Sequence, residues 1–598
     1  MCVQVSLEEE EEHGTVWTLC DTYRSHLLDE IPITRPRGVV DTVWDSLLAA
    51  FASAKAVVLE QDYFDLDYRS EFSGTHETTF QRRIPTTRRL HFFDAKPPSP
   101  GTHLYDAVAG MSKGYLGYSI ICPGNPQRVG RSIVSTSAAH PDLQNQTGIG
   151  RYVRTSVSEA VNVFGVGLSA VGVPFMEQDG HLLRCAHVAA WMCHYTSVLR
   201  GLVPRRTTLR FHRAEGVSST LGRSYPSDGL TTDVLSQVLR RLDLPPEIVP
   251  DVALRHPRQV RWHDRERLHD LAAGTSDESQ RFWAHENLTA HVCRYLNSGF
   301  PTILCEEEAE HARVIVGYVR ADSFRSGHSL YRQPESGRIH SDVAAFLVSD
   351  DARGPLEIVS VDELVDQVVG DYDWQTTLVT PLPHGLWLSG AKAETAGAGL
   401  LGASAVLRRQ ADWSEWWETQ VGLGHAAHDG PDLAERQRVL TRFAEVVAGG
   451  NLAERPIGVR SYAAFGSDLK VGLIRRLDDS NASRVLGRTR MPKFVWVVEA
   501  VDRKLRSIQS EHVIATAILD ASMHVDDHTP MDIGVLGVHL PGQLYDPSRA
   551  GLEDPSSWIP THLNPYGSGR WNDADDGVLS TRATAGRAKL ATARELST

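Results

Sequence analysis

The stretch that most constrains this chain runs Glu177-Gln178-Asp179-Gly180-His181-Leu182-Leu183-Arg184-Cys185-Ala186-His187-Val188-Ala189-Ala190-Trp191-Met192. Asp179-Gly180 marks a turn, and from Cys185 onward the apolar run with small residues predicts a buried helix. Cys185 opens that helix. The first turn of a helix has N–H groups without intrahelical partners and the positive end of the macrodipole, which together favour a thiolate and, later, an oxyanion. Gln178, seven residues before Cys185 and separated from it by the Asp179-Gly180 turn, carries a side-chain amide suited to be a second oxyanion donor.

The 598 residues exceed one core and suggest about three to five domains. An apolar content of 41% with 23% charged residues is that of an ordinary water-soluble chain. The net charge of −14 argues against nonspecific binding to nucleic acid or anionic membrane, so neither is expected as a partner. No apolar run reaches the roughly 18–20 residues that span a bilayer, and the start of the chain lacks the pattern of a secretory signal. Seven scattered cysteines do not make a disulfide framework. A cytoplasmic location with reduced thiols is the expectation.

Along the chain, residues 1–14 end in an acidic run and read as disordered, and residues 15–155 read as an α/β domain without recognisable chemistry. Within it, residues 39–52 have helical spacing and Ala56–Glu60 reads as a strand. That strand runs into Gln61–Arg69, whose acid–aromatic alternation predicts a packed strand with a solvated face. Residues 160–390 hold the chemistry. Residues 391–404, glycine-rich and aperiodic, read as a linker. Residues 405–550 read as an α+β domain with paired strands at 494–500 and 513–520, and residues 551–598 as a polar tail.

A cysteine nucleophile needs an imidazole. His311 heads a strand, His311-Ala312-Arg313-Val314-Ile315-Val316-Gly317-Tyr318, that follows a helix ending at Ser298-Gly299, the strand Pro301–Cys305 and the acidic turn Glu306–Glu310. If that acidic turn lay by the cleft it would raise the imidazole pKa and favour basic substrates, although such runs usually mark a solvated turn. An orienting acid is then expected on His311's other N–H. Asp350, at the end of the strand Ala344–Val348, is preferred. Asp351 is its competitor, and since adjacent strand residues face opposite ways only one should reach the ring.

The order Cys185, His311, Asp350 with an upstream Gln178, the lead-in Ser298-Gly299-Phe300-Pro301, and Gly317-Tyr318 after the histidine resembles the papain-like cysteine peptidases over roughly residues 170–360. The likeness is greatest to the bacterial bacteriocin-processing, double-glycine-peptidase-like branch. It implies an α+β, two-lobed domain, with a helical lobe carrying the cysteine and an antiparallel sheet lobe carrying His/Asp. N- and C-terminal α/β regions would flank it. It also implies that Cys185, His311, Asp350 and Gln178 are nucleophile, base, orienter and oxyanion donor. The gap from Gln178 to Cys185, Arg184 before the cysteine, and Ser349-Asp350-Asp351 in place of Asn-Asp-Pro depart from the family pattern.

The expected activity is hydrolysis of a peptide or isopeptide bond in a protein or peptide substrate through a thioester. The alternatives are a thioester-forming acyltransferase or transglutaminase-like enzyme, and an inactive papain-like binding module. No cofactor and no metal are expected. Cys185, His187, Cys193 and His194 fan around one helix and cannot converge on one zinc ion, and Asp526, Asp527, His528 and Asp532 read as a solvated turn.

Overall fold

Short apolar runs punctuated by turns build three antiparallel sheets in this computed structural model. The structure describes residues 4–5, 14–18, 42–75, 77, 84–98, 102–124, 127–137, 149–179, 183–214, 230–250, 277–306, 310–321, 343–369, 376–410, 457–476, 480–502, 513–523, 534–540, 543–549, 551–552 and 554–560. Residues 413–417 and 433–447, whose sequence suits helices, residues 526–532 and the tail beyond 560 lie outside them. Among the described residues no helix is long and apolar enough to cross a membrane.

The strands in chain order are β1 (Gln4–Val5), β2 (Gly14–Thr18), β3 (Ala56–Tyr63), β4 (Thr87–Phe93), β5 (Tyr115–Cys122), β6 (Arg128–Val134), β7 (Ile149–Tyr152), β8 (Val157–Val163) and β9 (Val166–Phe175). There follow β10 (Pro246–Val249), β11 (Thr302–Glu306), β12 (His311–Ala321), β13 (Val343–Asp350), β14 (Gly354–Ser360) and β15 (Thr376–Pro381). The last six are β16 (Ile457–Phe465), β17 (Phe494–Asp502), β18 (Val513–Asp520), β19 (Val535–Leu540), β20 (Gln543–Tyr545) and β21 (Trp558–Pro560). The helices used below are α1 (Thr42–Ala50), α2 (Leu66–Gly74), α3 (Leu104–Met111), α4 (Cys185–Leu199), α5 (Thr208–Ala214), α6 (Thr232–Arg241), α7 (Asp277–Asn297), α8 (Val361–Val369), α9 (Gly390–Gln410), α10 (Gly466–Arg476) and α11 (Ser480–Arg488).

The first sheet has the order β1-β2-β3-β4-β5-β6-β9-β8, and the second β10-β15-β11-β12-β13-β14. The third runs β16 to β21 in sequence. The second sheet is buried on both faces, which is why its strands read as near-continuous apolar runs. Val314 and Val316 of β12 join the core that holds α4, while Ile315 and Tyr318 join the core under α7 and α8. The first of these cores is shared with the first sheet, so α4 lies between two sheets and is buried from Ala186 to Ser197.

Four expectations change. The boundary at 155–160 does not divide the chain, because β8 and β9 complete the first sheet while β7, before them, pairs with β12 of the second. Residues 4–5 and 14 of the segment read as disordered sit in strands, β1 pairing with β2.

The strand continues through residues 61–63 as read, but β3 stops there and residues 64–69 turn into α2. Asp65 accepts the Tyr68 N–H at 2.9 Å and caps α2, and Asp65 and Asp67 are buried rather than solvated. A capping aspartate decides the local conformation over two-residue alternation.

The stretch 391–404 is no linker but most of α9, whose small residues let it approach β17 closely. A Cβ at Gly397 would lie 2.5 Å from Val498 Cγ2. Gly→Ala in an open helix position gains about 1 kcal/mol. Gly397→Ala is instead expected to destabilise by about 1–3 kcal/mol through overpacking, measured by denaturant melting.

Candidate active site

Cys185 is the first residue of α4, partly buried, with the approach to the helix tied down from both sides. Asp179 Oδ1 accepts the Leu183 N–H at 2.8 Å, and His187 Nδ1 accepts the Arg184 N–H at 3.3 Å. Two backbone donors that precede the helix are thereby occupied, and the His187 and Val188 N–H groups turn back to the Arg184 carbonyl at 2.9 and 3.1 Å, which leaves those of Cys185 and Ala186 as the first-turn donors without an acceptor inside the helix. Further along, Tyr195 of α4 bonds Glu159 of β8 at 2.8 Å and receives Arg131 of β6 at 3.1 Å. The helix that carries Cys185 is thus anchored to the first sheet through buried polar groups.

His311 is the first residue of β12, paired with Glu306 at the end of β11. Its Nε2 lies 3.1 Å from both oxygens of Asp350, the last residue of β13. The Cys185 side chain also hydrogen-bonds the ring, and with Nε2 on Asp350 the nitrogen left to serve it is Nδ1. Cys185 Sγ donates in addition to the Glu310 carbonyl at 3.5 Å. Three of the four residues singled out from sequence therefore converge, from helix and strand positions distant in the chain.

The electrostatics follow from that packing. The hydrogen bond to Asp350, then that to Cys185, favours the protonated ring, and with the Asp350 and Asp351 charges they outweigh burial and raise the His311 pKa to about 10. Burial alone would raise the Asp350 pKa. The hydrogen bond and positive charge of His311 and the Ala352 N–H instead hold its carboxyl below the ordinary range. Asp351 behaves oppositely: burial, reinforced by the Asp350 charge, pushes it up to about 7 against the pull of His311. Between the two aspartates, Asp350 is the one that meets the ring.

Gln178 is half-buried in the loop from β9 to α4. Its neighbours carry the loop's attachments. Glu177 pairs with β6, its Oε2 accepting the Val129 N–H at 2.7 Å, and its carbonyl accepts from Arg128 at 3.3 Å. Arg128 also pairs with the buried Glu71 of α2. Sequence reading missed Arg128 and Glu71, and Glu71 does carry a signal, since it follows Asp67 at helical spacing. Of the acidic turn, Glu306 pairs with Arg313 at 2.7 Å and not with the imidazole, while Glu310 contributes its carbonyl.

Compared with family models, curated proteins and solved structures, the chain matches none. The site's own geometry is therefore the basis for a functional reading.

Proposed function

We propose that this chain is a papain-like cysteine hydrolase that cleaves a peptide or isopeptide bond in a protein or peptide substrate. The observation that carries this is the His311 ring, bonded through Nε2 to Asp350 and through its other edge to Cys185 at the head of a buried helix. The two-lobed reading draws support from the cysteine residing on α4 and the histidine and acid on adjacent strands of one antiparallel sheet. A reducing, cytoplasmic setting is in keeping with the free thiols of Cys122, Cys185 and Cys193.

In this reading the Cys185 thiolate adds to the substrate carbonyl carbon and the carbonyl electrons move onto oxygen. The first-turn N–H groups of α4 and the Gln178 amide receive that oxyanion. The C–N bond then breaks as the His311 Nδ1 proton goes to the leaving amine, and a thioester remains. Water gives a proton to Nδ1 as it adds to the thioester, the C–S bond breaks, and acid and thiolate–imidazolium are restored.

The test is labelling with an iodoacetamide probe followed by peptide mapping, with peptide cleavage measured in ¹⁸O water and in the presence of an amine acceptor. The adduct should map to Cys185 among the seven cysteines, and cleavage should place ¹⁸O on the new carboxylate. Conjugation of the amine in place of ¹⁸O would make the enzyme an acyltransferase. Uniform slow labelling with no cleavage would leave a binding module.

Gln178→Ala separates the oxyanion role from thiol activation. Cleavage should fall by about 10²–10³-fold, as for loss of one oxyanion donor. Alkylation of Cys185 should change by less than about threefold, since displacement of iodide develops no oxyanion. Equal losses in both assays would mean that Gln178 holds the helix rather than the transition state.

A further inference from the structure

Asp351 has a position that the triad chemistry leaves without a purpose. It is 1% exposed, and among the described residues neither of its oxygens has a hydrogen-bond partner on another residue, its own backbone N–H being the one donor that bears on it. Buried carboxyl oxygens are ordinarily satisfied, so an orphaned pair calls for an explanation. One ligand atom each from His311, Asp350 and Asp351 lie within 4.8 Å of one another. His311 Nε2 is 3.1 Å from the Asp350 oxygens, close to the roughly 3.3 Å that separates two ligands on one tetrahedral ion with bonds of about 2 Å. Asp350 Oδ1 is also held by the Ala352 N–H at 2.8 Å, which leaves Oδ2 the freer donor.

We propose that His311, Asp350 and Asp351 form an inhibitory site for a divalent cation of the zinc class, bound in place of the proton on His311 Nε2. The donor set is one imidazole nitrogen with two carboxylates. Imidazole suits zinc and its neighbours, whereas magnesium and calcium prefer oxygen alone. Two carboxylates balance the charge of the ion, and three protein ligands leave a fourth position for water.

The consequence for Cys185 follows from the bonding and rests on the hydrolase reading above. The ion takes the Nε2 lone pair, and the proton that Nε2 carried leaves to solvent. The remaining ring proton sits on Nδ1, so the ring can neither become an imidazolium nor accept the thiol proton. The cation silences the nucleophile without touching sulfur.

The test uses full-length protein and zinc chloride. Calorimetry on Cys185→Ala, which removes sulfur as a ligand, should show one zinc bound, and Cys185→Ala with Asp351→Asn should bind at least about tenfold more weakly, since even an outer partner of a ligand is worth about 10–100-fold. In wild type, zinc should slow iodoacetamide labelling of Cys185 and a chelator should restore it. The ratio of rates with and without zinc should rise toward one in Asp351→Asn. Cobalt(II) in wild type should give ligand-field bands without a thiolate-to-metal charge-transfer band, a readout that needs no variant.

Equal zinc affinity in the two calorimetry samples, or a thiolate band with cobalt, would overturn the site. If zinc binds through Asp351 while Cys185 labels no faster than an unassisted thiol, the site stands and the hydrolase reading is what fails.

Discussion

His311→Ala is expected to slow alkylation of Cys185 at pH 7 by about 10–30-fold, since a thiol of pKa about 8.5 without its imidazole partner is only about 3% ionised there. The loss should shrink as pH rises toward about 8.5, where a thiol ionises unaided. The ring itself gives a second readout. With its pKa raised to about 10, the His311 imidazole in selectively labelled protein should stay doubly protonated by NMR across the neutral range. Asp350→Asn should move its titration back toward the ordinary 6.5.

The linkage has a definite sign. A histidine with a raised pKa contributes stability that is complete below its ordinary value of 6.5 and disappears as pH climbs through about 10. Asp350, with a lowered pKa, contributes stability above its ordinary 3.8 that disappears as pH falls through the depressed value. The pair should therefore stabilise the fold most across the interval between. A wild-type ring that titrates near 6.5 would remove the electrostatic basis of the proposed mechanism.

The largest effect on folding is expected at Arg131. This guanidinium is buried among Asp65, Glu159, Tyr118 and Tyr195, with contacts of 2.8 Å to Asp65, 2.8 Å to Glu159, 2.6 Å to Tyr118 and 3.1 Å to Tyr195. Arg131→Met keeps much of the volume and strands two carboxylates inside the protein. Breaking a buried ion pair from one side costs about 3–5 kcal/mol, which should appear as a lowered denaturation midpoint. Adding Asp65→Asn and Glu159→Gln should recover a large part of it, because the penalty lies in the uncompensated charges. Since Tyr195 belongs to α4, Arg131→Met should also slow Cys185 labelling in the folded protein.

The elements that carry the candidate site were legible because each has a strong local signature. The Cys185 helix and the β12 strand begin at the residues that the turn and the apolar patterns indicated. Residues 494–500 and 513–520 do pair, as their apolar runs indicated.

Reading failed where long-range packing overrides a local pattern. The glycines of α9 looked like flexibility but allow contact with Val498. The acids of 61–69 looked solvated, yet Asp65 and Asp67 are buried with Arg131 and Arg205. Neither partner is near in sequence, so nothing local could have announced the burial. Asp351 was weighed only as a rival to Asp350, since a chain of letters does not reveal that both of its oxygens are enclosed.

The short strand β7 has one more implication. Tyr152 to Ile149 hydrogen-bond along Tyr318–Ala321, the Tyr152 and Tyr318 rings stack at 4.9 Å, and Thr155 bonds the Val316 carbonyl. The strand bearing the imidazole is thus completed by a segment that precedes the last two strands of the first sheet. The unit that holds the candidate site is not a cassette. A fragment starting at residue 160 would leave the edge of β12 open and strip α4 of its cover, so it should aggregate rather than work. The first sheet is therefore no removable attachment to the candidate site.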